Sequence, residues 1–212
     1  MLARKDLAAI QKQLTQYDKV REQVLSLSRT ATRLAGATIL DIHRGNMDSA
    51  TKGIEKVEST LEELKTLFHD FSEFKTSQSV VVAFQEYVEA VTLRTFAQDE
   101  RIPSISDLKS DHRTYMLGLL DAVGEFRRMA LNRLRHGEVK KAESLLDAME
   151  SIYDDLQTLE HTSIIPTFRV KMDAVRRIIE STRGDVVTEV RRFSLERAIE
   201  RLDKQLAPRT KN

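Results

Sequence analysis

Apolar residues recur at steps of three and four along most of the chain. Leu7, Ile10, Leu14, Tyr17, Val20, Val24, Leu27, Ala31 and Leu34 form the longest such stripe. That spacing predicts an amphipathic helix with one buried face. Val139 to Leu159 repeats the pattern with Ala142, Leu145, Leu146, Met149, Ile152, Tyr153 and Leu156. A last stripe runs through Val187, Val190, Phe193, Leu195, Ile199 and Leu202. Between the stripes the punctuation is sparse. Gly45-Asn46 ends a first helix, and Met47-Asp48-Ser49 offers caps for a second. Lys75 to Gln78 precedes a third, Ile102-Pro103-Ser104 breaks it, and Ser110-Asp111 can cap a fourth. His136-Gly137 closes the fourth in the usual place for a C-terminal Gly. Ile165-Pro166 opens a sixth segment, and Arg183-Gly184 divides it from a seventh. No interval alternates with the period of a strand. The expectation is an all-α bundle of about seven antiparallel helices in a single domain over 1–205, with a flexible polar tail over 206–212.

Composition narrows the class. The chain has 212 residues, 7 Gly, 3 Pro and no Cys, with Gly roughly half and Pro roughly a third of average usage. Turn-rich β folds are thereby disfavoured. Without Cys, disulfides, thiolate zinc sites and cysteine nucleophiles are excluded. No membrane span of 18 apolar residues and no apolar leader at Met1 to Asp6 are visible, so the expected location is cytoplasmic. The 34 basic residues nearly balance the 33 acidic ones.

The third helix, Ser79 to Phe96, carries unusual chemistry. Val81, Phe84, Val88 and Val91 fall on one face, and Val82 and Leu93 near the other. A helix apolar on both sides is normally buried, yet Glu86 and Glu89 lie on the second face, side by side at i,i+3. Two carboxylates in a partly dry site repel each other unless a cation joins them. The fourth helix offers Asp121 and Glu125 one turn apart, framed by Gly118 and Gly124, which would admit a close backbone or substrate. If these helices pack antiparallel, four carboxylates converge. Oxygen ligands without His or Cys suit Mg²⁺ or Mn²⁺ rather than zinc. The alternative reading remains open: both pairs are solvated, salt-bridged surface, with Arg94 or an Arg of the fourth helix as partner. His43, His69, His112, His136 and His161 are scattered, and none forms the Glu-x-x-His of a di-iron bundle.

Between Glu22 and Asp41 there is no acidic residue. Ser26, Arg29, Arg33 and Gly36 share a face there, with Ser28, Thr30 and Thr32 nearby. Arg and hydroxyl side chains suit phosphate oxygens, although any single Arg is more often an ordinary solvated residue.

The stretch Gln85-Glu86-Tyr87-Val88-Glu89-Ala90-Val91 resembles a motif of the translin family, in its translin-associated factor X branch. Tyr115 to Met129 resembles that family's next helix, with the same Gly118, Asp121, Gly124-Glu125 and Arg128-Met129 in order and Asn132 following. The first helix, with Asp18, Arg21 and the Arg29/Arg33 face, is similar to the translin N-terminal helix. The likeness covers most of the chain. It departs at Thr114, where the family often has Asp, and in a shorter segment over 97–113.

This resemblance implies a seven-helix translin fold and a Mg²⁺-dependent endoribonuclease on single-stranded RNA, with Mn²⁺ as a substitute ion. Its carboxylates map to Glu86, Glu89 and Asp121 as metal ligands, and to Glu125 as a further ligand or water-orienting group. Arg29, Arg33 and Arg128 would hold phosphates. Family members form a closed hollow octamer, and one chain carrying both acidic and basic features implies a homo-oligomer. Two alternatives stand beside this. One is a non-catalytic shell that binds single-stranded RNA or DNA, as translin does without the full acidic set. The other is an all-α nucleoside triphosphate pyrophosphohydrolase, whose second acidic pair is typically Glu-x-x-Asp rather than Asp-x-x-x-Glu.

Overall fold

The computed structural model describes residues 3–206. Among them there are seven α-helices and no strand: α1 (Arg4–Arg44), α2 (Met47–Leu67), α3 (Gln78–Asp99), α4 (Ile105–Leu108), α5 (His112–Arg135), α6 (Val139–Gln157) and α7 (Phe168–Leu206). Two 3₁₀ turns, Ser72–Thr76 and Thr162–Ile164, lie in the connections. Contacts divide the chain into two compact units, with the boundary between Ala122 and Val123, inside α5.

The first unit is built on α1. Gly45, at φ 78°, ends it. Its N–H donates to the Ile42 carbonyl, while the Asn46 N–H donates to that of Asp41, so the last carbonyls of α1 are satisfied by a left-handed cap. This tight link turns α2 back along α1. The α1 face that α2 and α3 cover is Val20, Val24, Ala31, Ala35, Ile39 and Ile42, and the answering stripe on α2 is Ala50, Ile54, Val57, Leu61 and Leu64. Gly53 is obligatory at the crossing, because a Cβ there would collide with the Thr38 side chain.

The sequence stripe on α1 is only half used. Leu7, Ile10, Leu14 and Tyr17 are exposed, and among the described residues none before Val20 is buried. The reason is length. At 1.5 Å per residue the 41-residue α1 is roughly 60 Å long, and the 21-residue α2 reaches only half of it. Tyr17 makes ring contacts with Phe71 and Phe74, at 6.3 and 4.7 Å between centroids.

The second unit repeats this mismatch. The 19-residue α6 packs against the 39-residue α7. Phe168, Met172, Val175, Ile179, Thr182 and Val186 are buried; beyond Val186 no residue of α7 up to Gln205 is. Val187, Phe193, Leu195, Ile199 and Leu202, expected as a core stripe, are exposed.

The expected break at Arg183-Gly184 is absent, and α7 runs through it. A helical Gly costs about 1 kcal/mol against Ala, which does not end a well-packed helix. Here the flanking turns are tied down. Arg183 pairs with Glu150 at 2.8 Å, Asp185 with Arg127 at 3.2 Å, and the Thr188 hydroxyl donates to the Gly184 carbonyl at 2.8 Å. The count of seven survives because the four-residue α4, unforeseen from the pattern, takes the place of the split. Its Ser104 and Asp107 form a reciprocal capping box. The helix runs to Leu206, the first residue of the expected tail; the tail residues 207–212 lie outside those described.

Exposed apolar stripes on two long helices are surfaces for association. Leu14→Glu and Ile199→Glu, at positions 58% and 50% exposed, are each expected to reduce the particle mass in light scattering while helical circular dichroism is unchanged. A mass equal to wild type in both would show that these stripes carry no contact.

Candidate functional site

In the first unit α3 is enclosed on almost every side, which explains its lack of a single apolar face. Val80, Ala83, Tyr87, Val88, Ala90, Leu93 and Phe96 are buried, and their directions cover the helix. Of the apolar face Val81, Phe84, Val88 and Val91, only Val88 is fully buried; the other three are half-buried. Glu86 and Glu89 are half-buried too, each next to a buried residue.

Tyr87, which periodicity did not single out, lies between the two carboxylates in sequence. Its hydroxyl donates to Glu58 of α2 at 2.7 Å. Burial, the hydrogen bond to Glu58 and the charges of Glu58 and Glu62 all push the phenol well above its ordinary pKa, so it stays a donor. The signal was available: a tyrosine on a helix this apolar needs a polar partner. Arg94, offered as a partner for the carboxylates, donates from Nε to the Thr51 hydroxyl at 3.2 Å. Tyr87 and Arg94 both tie α3 to α2 and so fix its rotation.

Helix α5 begins with the cap expected at Asp111, whose carboxylate accepts from the Thr114 N–H at 3.0 Å and the Thr114 hydroxyl at 2.6 Å. Burial works to raise the Asp111 pKa, but the hydrogen bonds from Thr114 outweigh it and the net direction is down. Thr114, the departure from the family pattern, is buried and serves this cap.

One turn further, Gly118 meets α3. A Cβ at Gly118 would fall 2.7 Å from the Val88 side chain and 3.0 Å from the Gln85 carbonyl oxygen. Gln85 and Val88 immediately precede Glu86 and Glu89, and Asp121 is one turn beyond Gly118. The expected close approach of these helices is therefore present at Gly118, and it neighbours three of the four carboxylates. Gly124 behaves differently: a Cβ there meets nothing within 4 Å.

Asp121 is half-buried. Glu125, one turn on along the same helix and across the unit boundary, is half-buried and pairs with Arg128 at 3.5 Å. None of the four carboxylates lacks an interaction. As a donor set they fit a hard cation in kind, being oxygen ligands on adjacent helical turns. Among the described residues, no group of three or more His, Asp or Glu is arranged as it would be around a metal ion.

The basic residues separate into two sorts. Arg29 and Arg33 are exposed on α1, with Ser26 exposed beside them, and neither Arg makes an ion pair among the described residues. Ser28 leaves the expected hydroxyl set, since it is buried and donates to the Val24 carbonyl at 2.7 Å. In the second unit Arg127 is committed to Thr182 and Asp185, Arg133 to Glu138 and Arg192 to Glu189. Arg128 is exposed apart from its pairing with Glu125.

Long antiparallel helices, one of them enclosed and bearing half-buried acids against a glycine of the next, define an all-α protein with a carboxylate-bearing helix pair. Residues 19–181 match the Translin family, and the chain belongs to it. An uncharacterized protein of Methanocaldococcus jannaschii is 30% identical over 193 residues, covering 89% of this chain and 85% of that one. A translin-associated protein X homolog of Schizosaccharomyces pombe is 22% identical over 188 residues, covering 81% of each. The structure of AfC3PO in complex with duplex RNA superposes with a TM-score of 0.79 at 30% identity, covering 87% of this chain and 96% of that one. Apo-NeC3PO gives 0.79 at 24% identity, covering 89% and 98%, a likeness of fold. No described helix is long and apolar enough to cross a membrane.

The two glycines make a paired test of the helix contact. Gly118→Ala is expected to lower stability by about 1–3 kcal/mol through overpacking against Val88. Gly124→Ala, in open space, is expected to be neutral or more stable by about 0.5–1 kcal/mol. Urea unfolding measures both, and a Gly118→Ala protein as stable as wild type would rule out the close contact.

Proposed function

We propose that the chain is a Mg²⁺-dependent endoribonuclease that acts on single-stranded RNA within a homo-oligomeric assembly. The observation that carries this reading is the seating of Gly118 between Gln85 and Val88, which sets the helix of Asp121 against that of Glu86 and Glu89. Membership in the Translin family and the likeness to AfC3PO, solved with duplex RNA, support nucleic acid as the ligand. The exposed apolar stripes on α1 and α7 support assembly.

Glu86, Glu89 and Asp121 would hold the ion, and Glu125 would complete the set or orient the attacking water. The ion, when bound, supplies a nucleophilic water at neutral pH and stabilises charge on the phosphodiester. The four carboxylates are anions with neighbours of their own, and like charges gather only around a cation. The contact at Gly118 already sets the helix of Asp121 against that of Glu86 and Glu89. Arg29 and Arg33, unpaired and exposed on an acid-free window, would grip phosphates through charge-assisted hydrogen bonds. Arg128 would join them if it released Glu125, so its pairing links phosphate binding to the freedom of that carboxylate.

A second reading, a non-catalytic protein that binds single-stranded RNA or DNA, is supported by membership in the family alone.

The deciding experiment is cleavage of a labelled single-stranded RNA by wild type and Glu89→Gln, each with Mg²⁺ and with EDTA. Cleavage is expected only for wild type with Mg²⁺. The loss in Glu89→Gln is expected to exceed about 100-fold, the upper end for residues that merely support a metal ligand. Equal activity in all four tubes would sink the metal mechanism, and binding without cleavage would select the second reading. In a salt titration Arg29→Ala/Arg33→Ala is expected to weaken RNA binding and to flatten the log–log salt slope by about 1.4, roughly 0.7 for each phosphate contact on a single strand. An unchanged slope would remove these arginines from the interface.

A further inference from the structure

The first unit contains a cleft, away from the four carboxylates, that no window of sequence displays. It has a volume of about 770 Å³ and lies among the end of α2, the Ser72–Thr76 turn, the first turns of α3 and the start of α5. That volume is within the usual range for sites of small organic ligands.

Its lining has two characters. Lys65, Lys75, Lys109 and Arg113 contribute four cations against the single carboxylate of Asp111. Both Asp111 oxygens are already engaged by Thr114, through its N–H and its hydroxyl, so this carboxylate does little to satisfy the cations. Lys65 is paired with Glu62 at 2.6 Å, whereas Lys75, Lys109 and Arg113 form no ion pair among the described residues. The apolar part is Phe68, Phe84 and Val81, all half-buried. Lys65 Nζ stands 5.8 Å from the centroid of the Phe84 ring. Next to the lining, the Ser77 and Ser79 hydroxyls are buried without a hydrogen-bond partner.

A ligand that satisfies both halves needs a flat apolar ring at one end and concentrated negative charge at the other. A bare phosphate would leave the aromatic wall wet, and an uncharged ring would leave three cations unmatched. Bases stack on aromatic side chains, and phosphate groups take charge-assisted hydrogen bonds from Lys and Arg. We infer that this cleft is a binding site for one nucleotide, as a free nucleoside monophosphate or as the 5′-phosphorylated end of a strand. None of its residues is among the four carboxylates, so the inference stands independently of the cleavage reading.

The test is titration of the full chain, in EDTA, with adenosine monophosphate, adenosine and inorganic phosphate, followed by calorimetry. The monophosphate is expected to bind at one site per chain and at least about tenfold more tightly than either fragment, because both halves contribute. Lys75→Ala/Arg113→Ala, both exposed positions, is expected to weaken it by a further factor of ten or more. Phe84→Ala is expected to erase the advantage of the monophosphate over phosphate, with helicity checked by circular dichroism. Glu89→Gln is expected to bind as wild type. Monophosphate binding no tighter than inorganic phosphate, or unchanged in Lys75→Ala/Arg113→Ala, overturns the inference even if Phe84→Ala fails to fold. Competition by a short RNA with a 5′-phosphate, against the same RNA with a 5′-hydroxyl, then separates the sources. Preferential displacement by the phosphorylated strand supports a strand end, and equal displacement supports the free nucleotide.

Discussion

A helix can be covered only as far as its partner reaches, and this constraint orders both units. The two-residue turn at Gly45-Asn46 sends α2 straight back along α1, so the burial of α1 begins at Val20 and ends at Ile42. The same relation between α6 and α7 ends burial at Val186. The uncovered remainder of each long helix keeps its apolar period, and an apolar stripe that does not serve its own chain must serve another surface or stay wet at a cost of about 25 cal/mol per Å². Assembly is thus written into unequal helix lengths rather than into any motif.

Enclosure of α3 follows from the pairing of α1 and α2. With α2 turned back, α3 lies against both, and Tyr87 and Arg94 each reach α2 through a polar bond. The rotation of α3 is then no longer free. Glu86 and Glu89 are left on the half-buried remainder, and Gly118 permits α5 to close on that side down to contact with the Gln85 backbone. An alanine there would hold the helices apart by a few tenths of an ångström or more. The contact between the helix of Asp121 and that of Glu86 and Glu89 accordingly depends on a glycine that contributes no chemistry.

Legibility varied with how local the cause was. The caps at Gly45, Asp111 and Gly137 were readable because a cap is decided within a few residues. Helix existence was readable for the same reason. Gly184 misled because a glycine weakens a helix everywhere but ends it only where tertiary contacts do not hold the flanking turns. Here Arg183 and Asp185 are held by Glu150 and Arg127, which lie 33 and 58 residues away in sequence. The stripes of α1 and α7 were read correctly as stripes and wrongly as core, since period reports a face and not what covers it. Asp121 and Glu125 were placed by spacing alone, and the contact at Gly118 agrees with the expectation for that glycine. Gly124, identical in sequence terms, meets nothing.

Charge shows the same division between local and distant causes. Several arginines have an acid within one helical turn or on a packed neighbour and are paired with it: Arg21 with Asp18, Arg133 with Glu138, Arg192 with Glu189. Arg29 and Arg33 sit in a window without acids, and they remain unpaired. An unpaired arginine on the surface is hydrated but keeps its full capacity for a polyanion, whereas a paired one must first give up its partner. The cations of the cleft reach the same condition by another route. Lys75, Lys109 and Arg113 are near acids in sequence, yet Asp111 is spent on capping α5 and Asp107 on capping α4 and pairing with Arg101. Acids consumed by helix caps cannot neutralise neighbouring bases. In a chain whose formal charge is only +1, this is how positive surface is kept available: the negative charges are assigned to structural tasks.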